Sequence, residues 1–157
     1  MRKIPHMMIP YSRPGTGPVV LAGRVKVGTL FGSTIPETPP DKLFFAGGGG
    51  SVRGYAYRSI GVDLGGDEVV GGRSLLEGSA ELRVRVSPSI GVVAFVDAGY
   101  VDPDSWPSFN GDVKIGVGGG LRYYTGLGPI RLDLAVPLEP QENDPSVAFY
   151  VGIGQAF

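Results

Sequence analysis

The stretch Leu76-Glu77-Gly78-Ser79-Ala80-Glu81-Leu82-Arg83-Val84-Arg85-Val86 decides the fold. Glu77, Ser79, Glu81, Arg83 and Arg85 fall on one parity, and Leu76, Gly78, Ala80, Leu82, Val84 and Val86 on the other. Successive side chains of a pleated backbone point to opposite sides, so period two marks a strand whose faces meet different surroundings. The pattern recurs on both sides of this stretch. Between Ile90 and Val101, Val92, Ala94, Val96 and Ala98 oppose Phe95, Asp97 and Gly99. From Val113 to Tyr124, Ile115, Val117, Leu121 and Tyr123 oppose Lys114, Gly116, Gly118, Gly120 and Arg122. From Pro129 to Pro137, Ile130, Leu132, Leu134 and Val136 oppose Arg131, Asp133 and Ala135. Ser146 to Phe157 sets Val147, Phe149, Val151, Ile153 and Phe157 against Tyr150, Gly152, Gly154 and Ala156. Val19 to Phe31 sets Val19, Leu21, Val25 and Val27 against Arg24, Lys26 and Gly28.

These runs exceed the usual five to six residues of soluble strands and suit tilted membrane strands of about 9–11 residues. One face is aliphatic and the other carries full charges and glycine. Lipid outside and a wet lumen inside would explain that, but so would the core and surface of a soluble β-sandwich. Periodicity leaves both open. The connections separate them. Ser87-Pro88-Ser89 and Thr125 to Gly128 are short links, whereas Phe31 to Arg73, Val101 to Asp112 and Leu138 to Pro145 are long. Short and long alternate, as in outer-membrane barrels with tight periplasmic turns and long outer loops. A sandwich has no reason to sort its loops this way.

Composition agrees. The 157 residues include 27 Gly and 14 Pro, about a quarter of the chain, which excludes a helical bundle. A hydrophobic fraction of 42 % is too high for a disordered tail. Fourteen basic and fifteen acidic residues give a net charge of −1 with no basic block, so nucleic acid is not an expected partner. With no Cys and one His, His6, no Cys/His metal site and no Ser or Cys nucleophile with an imidazole partner can be assembled. No run of about 18 apolar residues exists to make a transmembrane helix, and Pro5, Pro10 and Pro14 break what would follow a signal n-region.

The link Phe31–Arg73 is far longer than the 12–15 residues beyond which a structureless connection needs a reason. It holds Leu43-Phe44-Phe45-Ala46, the glycine run Gly47 to Gly50, and Ser51-Val52-Arg53-Gly54-Tyr55. Aromatic residues around a glycine hinge suggest a segment that folds back and packs. Other readings of the glycines fail. No Gly-Lys-Ser/Thr follows Gly50 to make a phosphate loop, and Gly116, Gly118 and Gly120 lack the spacing and the helix of a dinucleotide site. Glu77 and Glu81 would stand roughly 13 Å apart on a strand, too far for an acid/base pair. Asp133 and Arg131 read as wall charges on one face.

Phe44-Phe45-Ala46-Gly47 followed by Ser51-Val52-Arg53-Gly54-Tyr55 resembles the loop motif of the bacterial surface antigen family of outer-membrane assembly and secretion proteins, which includes BamA, TamA and the two-partner secretion transporters. Gly71-Gly72-Arg73-Ser74-Leu75, Phe95-Val96-Asp97-Ala98-Gly99, Gly128-Pro129-Ile130-Arg131-Leu132-Asp133 and Gly152-Ile153-Gly154-Gln155-Ala156-Phe157 follow in the family's order, in wording closer to TamA than to BamA. The resemblance implies a 16-stranded barrel preceded by POTRA domains, with the long loop plunging into the lumen. It implies a latch of Val52, Arg53, Gly54 and Tyr55, lumenal partners Phe95, Asp97 and Glu81, and a C-terminal strand that closes the barrel as a weak gate, marked by Gly152, Gly154 and Phe157. Its partners would be outer-membrane lipid, client outer-membrane proteins and an inner-membrane-anchored TamB-like protein, with no cofactor, metal or catalytic residue.

The expectation is therefore an all-β partial transmembrane barrel. Residues 1–18 are irregular, and 19–157 supply about six C-terminal strands with an inserted loop at 32–73. Six strands are too few to close, since eight is the practical minimum, so the remaining strands and the periplasmic domains are expected in a longer protein. The expected role is non-enzymatic, in assembling or secreting β-barrel and autotransporter clients. A two-partner secretion pore is the alternative within the class, and a soluble β-sandwich binding module the alternative outside it.

Overall fold

The computed structural model describes residues 7–9, 19–63, 65 and 69–156. The strands are β1 (Met7–Ile9), β2 (Val19–Thr29), β3 (Val62–Asp63), β4 (Val69–Val70), β5 (Ser74–Arg85), β6 (Ile90–Asp102), β7 (Lys114–Thr125), β8 (Gly128–Pro137) and β9 (Ala148–Ile153). Seven of them form one sheet in the order β1-β2-β5-β6-β7-β8-β9, and β3 pairs with β4 as a separate ribbon. Every pairing is antiparallel between sequence neighbours in the sheet. Among the described residues the sheet does not close on itself. No helix long and apolar enough to cross a membrane occurs among the described residues, which says nothing against crossing by strands.

The six long runs read from the sequence are all present, with ends shifted by a residue or two except at the last. That run was expected over Ser146–Phe157, but β9 covers only Ala148–Ile153. Gly154 adopts φ +93, a left-handed conformation that cannot continue a strand, and Phe157 lies outside the described residues. Within the segment 1–18 read as irregular, Met7–Ile9 pairs with Gly23–Val25 of β2. His6 lies outside the described residues.

The short links are hairpins. After β5 the chain turns through 86–89, with Val86 N–H donating to the Ile90 carbonyl at 2.9 Å. β7 and β8 join through Gly126 and Leu127, and Gly128 leaves the turn at φ +117. The long links crowd the other end. Asp102 at the end of β6 accepts hydrogen bonds from the Ser108 N–H at 2.9 Å and the Tyr100 hydroxyl at 2.6 Å, fixing the 103–113 link. Ser105 Oγ then donates to the Leu30 carbonyl at 2.7 Å, which ties that link to the start of the 30–73 loop.

The hydrophobic core does not sit on the aliphatic faces of the strands. It lies between the 30–73 loop and the opposite, polar face, in a cluster of Ala46, Val52, Tyr55, Ile60, Val62, Leu75 and Val101. A smaller cluster of Val93, Phe95 and Ala135 lies beside it, with Tyr150 packed against it. The aliphatic face is uncovered: Leu21, Val25, Leu82, Val92, Val96, Leu121, Leu134 and Val151 are all exposed. A soluble sandwich requires this face to be its core, so the inside-out arrangement removes that reading. Phe31 and Trp106 meet edge to face at 6.0 Å beyond one end of the band, where an aromatic belt would meet headgroups.

One expected outcome tests the orientation. Val96 sits mid-band, opposite Ala80 and Val117. Val96→Lys should cost about 2–4 kcal/mol of stability in lipid vesicles, as a cation at bilayer depth does. A urea titration of the vesicle-folded protein measures it, and an unchanged midpoint would mean that this face meets water.

Candidate functional site

The loop enters the sheet as a narrow excursion closed by two isolated bridges, Phe44 with Gly72 and Ala46 with Ile60. Between them the chain turns at Gly48–Ser51, where Ser51 N–H donates to the Gly48 carbonyl at 3.0 Å. Two positions require glycine. Gly47 has φ +104, and a Cβ there would come within 2.5 Å of the Ala56 carbonyl oxygen. Gly54 has φ +102, and a Cβ there would meet the Val136 carbonyl carbon at 2.8 Å. Any larger residue at 54 would push the tip off β8.

Arg53 is the tip. Its Nε donates to Asp97 Oδ2 at 2.6 Å and its Nη2 to Asp97 Oδ1 at 2.9 Å, a fork-on-fork pair. Its Nη1 donates to Glu81 Oε1 at 2.7 Å and lies 3.5 Å from Asp133 Oδ2. The Arg53 backbone N–H also reaches Asp97 Oδ2, at 3.1 Å. The guanidinium carbon stands 3.5 Å from the centre of the Phe95 ring, so both the planar edge and the π face of the cation are used. Arg53 is 2 % exposed, and Glu81, Asp97 and Asp133 are 0 % exposed. Burial pulls the Arg53 pKa down, but the bonds and charges of Asp97 and Glu81 outweigh it and hold the pKa above its ordinary value.

Strand register explains why these residues meet. Glu81 lies opposite Phe95, Phe95 opposite Gly118, and Gly118 opposite Ala135, so one row of the inner wall carries acid, ring and empty space in sequence. The empty space matters. A Cβ on Gly116 would lie 1.8 Å from the Arg53 carbonyl oxygen, one on Gly99 would lie 2.5 Å from Val52 Cγ2, and one on Gly118 would lie 2.4 Å from Phe95 Cζ. The inner-wall glycines form the seat into which the loop backbone and the Phe95 ring fit.

The structure brings Val52, Arg53, Gly54, Tyr55, Glu81, Phe95 and Asp97 together. Val52 is 0 % exposed in the core, and the Tyr55 hydroxyl lies 3.2 Å from the Ile115 carbonyl oxygen and 3.3 Å from that of Glu139. Gly152 and Gly154 are not at this site. Gly152 leaves room for Arg131, whose Nε would be 2.7 Å from a Cβ there, and Gly154 follows the end of β9.

Several contacts were not read from the sequence. Arg122 binds Asp133 in an ion pair with Nη2 3.4 Å from Oδ2, and Arg83 Nε donates to Glu81 Oε2 at 2.8 Å. These arginines give Glu81 and Asp133 counter-charges of their own. Ser51 Oγ donates to Glu77 Oε1, and Lys26 Nζ lies 3.3 Å from Glu77 Oε2. The Gly54 N–H donates to the Tyr150 hydroxyl at 3.0 Å. The strand residues among them all sit on inward parities, which is the available signal, but parity does not say which inward residues touch the loop.

The fold has known counterparts. Residues 11–157 match the Omp85 superfamily domain. The chain is 26 % identical to the outer membrane protein assembly factor BamA of Neisseria meningitidis, across 88 % of this chain and 22 % of that protein. It is 30 % identical to BamA of Nitratidesulfovibrio vulgaris, across 88 % of this chain and 18 % of that protein. It is 32 % identical to the chloroplastic outer envelope protein 80 of Arabidopsis thaliana, across 78 % and 16 % respectively. Among solved structures it resembles BamA from Haemophilus ducreyi lacking POTRA domains 1–3, with a TM-score of 0.65 and 25 % identity over 92 % of this chain and 32 % of that one. The chain thus spans about a fifth of the length of these curated relatives. With its lipid-type band outside and its loop latched inside, this chain belongs to the Omp85 superfamily and is a partial β-barrel of the outer membrane.

Proposed function

We propose that the chain is the barrel portion of an outer-membrane protein assembly or translocation factor that works without enzymatic turnover. One observation carries the reading: a loop arginine is clamped by Asp97 and Glu81 inside a sheet whose aliphatic face points outward. Such a loop can hold the wall in one conformation while a strand edge of the barrel pairs with incoming strands by edge addition. Outer-membrane lipid and unfolded β-barrel clients are the partners this predicts. The protein folded into lipid vesicles should accelerate the folding of an added unfolded client barrel, read from its heat-modifiable mobility. A rate equal to that in empty vesicles would refute the reading.

Within this function the motif wording at 44–47, 51–55 and 128–133 supports a TamA-like role, with autotransporters as clients and an inner-membrane-anchored TamB-like protein as partner. Depletion in the native cell should then lower surface autotransporters and spare other outer-membrane barrels. A uniform loss of all barrels would instead assign a BamA-like role.

A further inference from the structure

The Arg53 side chain engages β5, β6 and β8, but a second group of contacts joins the same loop to β9 and its connection. The Tyr150 hydroxyl on β9 accepts the Gly54 N–H at 3.0 Å, and its ring lies so close to Gly49 that a Cβ there would be 2.7 Å from Cδ1. Asp144, in the 138–147 link, accepts from the Ala56 N–H at 2.9 Å and from Ser59 Oγ at 3.0 Å. The β8–β9 hairpin therefore touches loop residues on both sides of the Arg53 tip.

β9 needs this support more than its neighbours do. It is 6 residues long against 10 to 13 for β2 and β5 to β8. It pairs with β8 alone among the described residues, and Gly154 stops it at Ile153. Its outward residues Phe149, Val151 and Ile153 are exposed, so its inward anchor is Tyr150. Arg53 and Gly54 are adjacent in the chain, so the tip cannot leave Asp97 without displacing the donor that holds Tyr150.

We propose that Tyr150 and Asp144 are positioning residues that make loop seating and β9 pairing one transition: the seated loop holds β9 on β8, and its release frees β9. The inference rests on the assembly reading only for its purpose, as the device that sets when the β9 edge becomes available. Linkage makes it reciprocal, so a strand that captured β9 in its present register would favour the seated loop.

Hydrogen exchange on the lipid-embedded protein tests the coupling. Tyr150→Phe keeps the ring and removes one hydrogen bond, so exchange at 54–56 and at 149–153 should rise together by about 2- to 10-fold, with β5 and β6 unchanged. Arg53→Lys touches nothing on β9 yet should raise exchange in the same two segments, and the double variant should exceed the larger single effect by less than the product of the two. Loosening of the loop without β9 in Arg53→Lys, or a rise across all strands in Tyr150→Phe, would overturn the proposal. The client-folding assay separates the two ideas: coupled exchange in a protein that accelerates no client keeps the coupling and removes the assembly function.

Discussion

Arg53→Ala is expected to undock the loop and loosen β9 while β2 and β5 to β8 stay paired. Among the described residues every hydrogen bond to the Asp97 carboxylate comes from Arg53, from its backbone N–H, Nε and Nη2. The variant strands that carboxylate at 0 % exposure with no cation, whereas Glu81 keeps Arg83 and Asp133 keeps Arg122. Removing one partner of a desolvated pair costs about 3–5 kcal/mol, the lower end applying where water follows the loop out. That is roughly a hundredfold or more in loop occupancy at 1.4 kcal/mol per factor of ten. Asp97→Asn should cost less, because Arg53 keeps Glu81 and Asp133 as partners. Arg53→Lys should restore only part of the loss, since an ammonium cannot make the two parallel bonds or the flat contact on Phe95. Limited proteolysis of the membrane-folded protein at 47–60 reads loop release, and heat-modifiable mobility reports the sheet. Full protease resistance in Arg53→Ala would remove the latch, and impaired client folding in the same variant would join the latch to function.

The strands were legible because their faces meet different media, and the sequence pays for that at every second residue. Alternation through Leu76–Val86 specifies both the strand and its register, since a slip of one residue would turn Glu81 outward and Leu82 inward. What alternation cannot state is which polar face is wet and which is filled. Glu77, Glu81, Asp97 and Asp133 look alike as inward acids, yet Glu77 meets Ser51 and Lys26 while the other three converge on Arg53. Their convergence depends on rows that cross strands, and rows follow from hairpin registers set by turns at 86–89 and 126–127. Tyr150 escaped for the same reason, being 96 residues from Gly54 in sequence. The resemblance supplied Arg53, Phe95 and Asp97 as a set, but not the glycines beneath them.

Those glycines carry the second large effect. Gly116→Ala adds a single methyl group to β7, at a residue whose backbone is ordinary strand, so local strand propensity should improve. The seat it closes is another matter. The new Cβ would be 1.8 Å from the Arg53 carbonyl oxygen, a backbone atom that cannot rotate away. The tip would have to rise by more than an ångström, and the bidentate geometry on Asp97 tolerates no such shift. Gly116→Ala should therefore undock the loop nearly as fully as Arg53→Ala while leaving every charge of the site in place. Combining the two should add little, because a loop already released has nothing further to lose; full additivity would mean that Gly116 acts on the sheet rather than on the latch. Gly23→Ala on β2 is the control, since its Cβ would meet nothing closer than the Ser79 carbonyl oxygen at 3.6 Å, ordinary contact, and the loop should remain protected. If Gly116→Ala were as protease-resistant as this control, the seat would be softer than its geometry requires, and the latch would rest on charge alone.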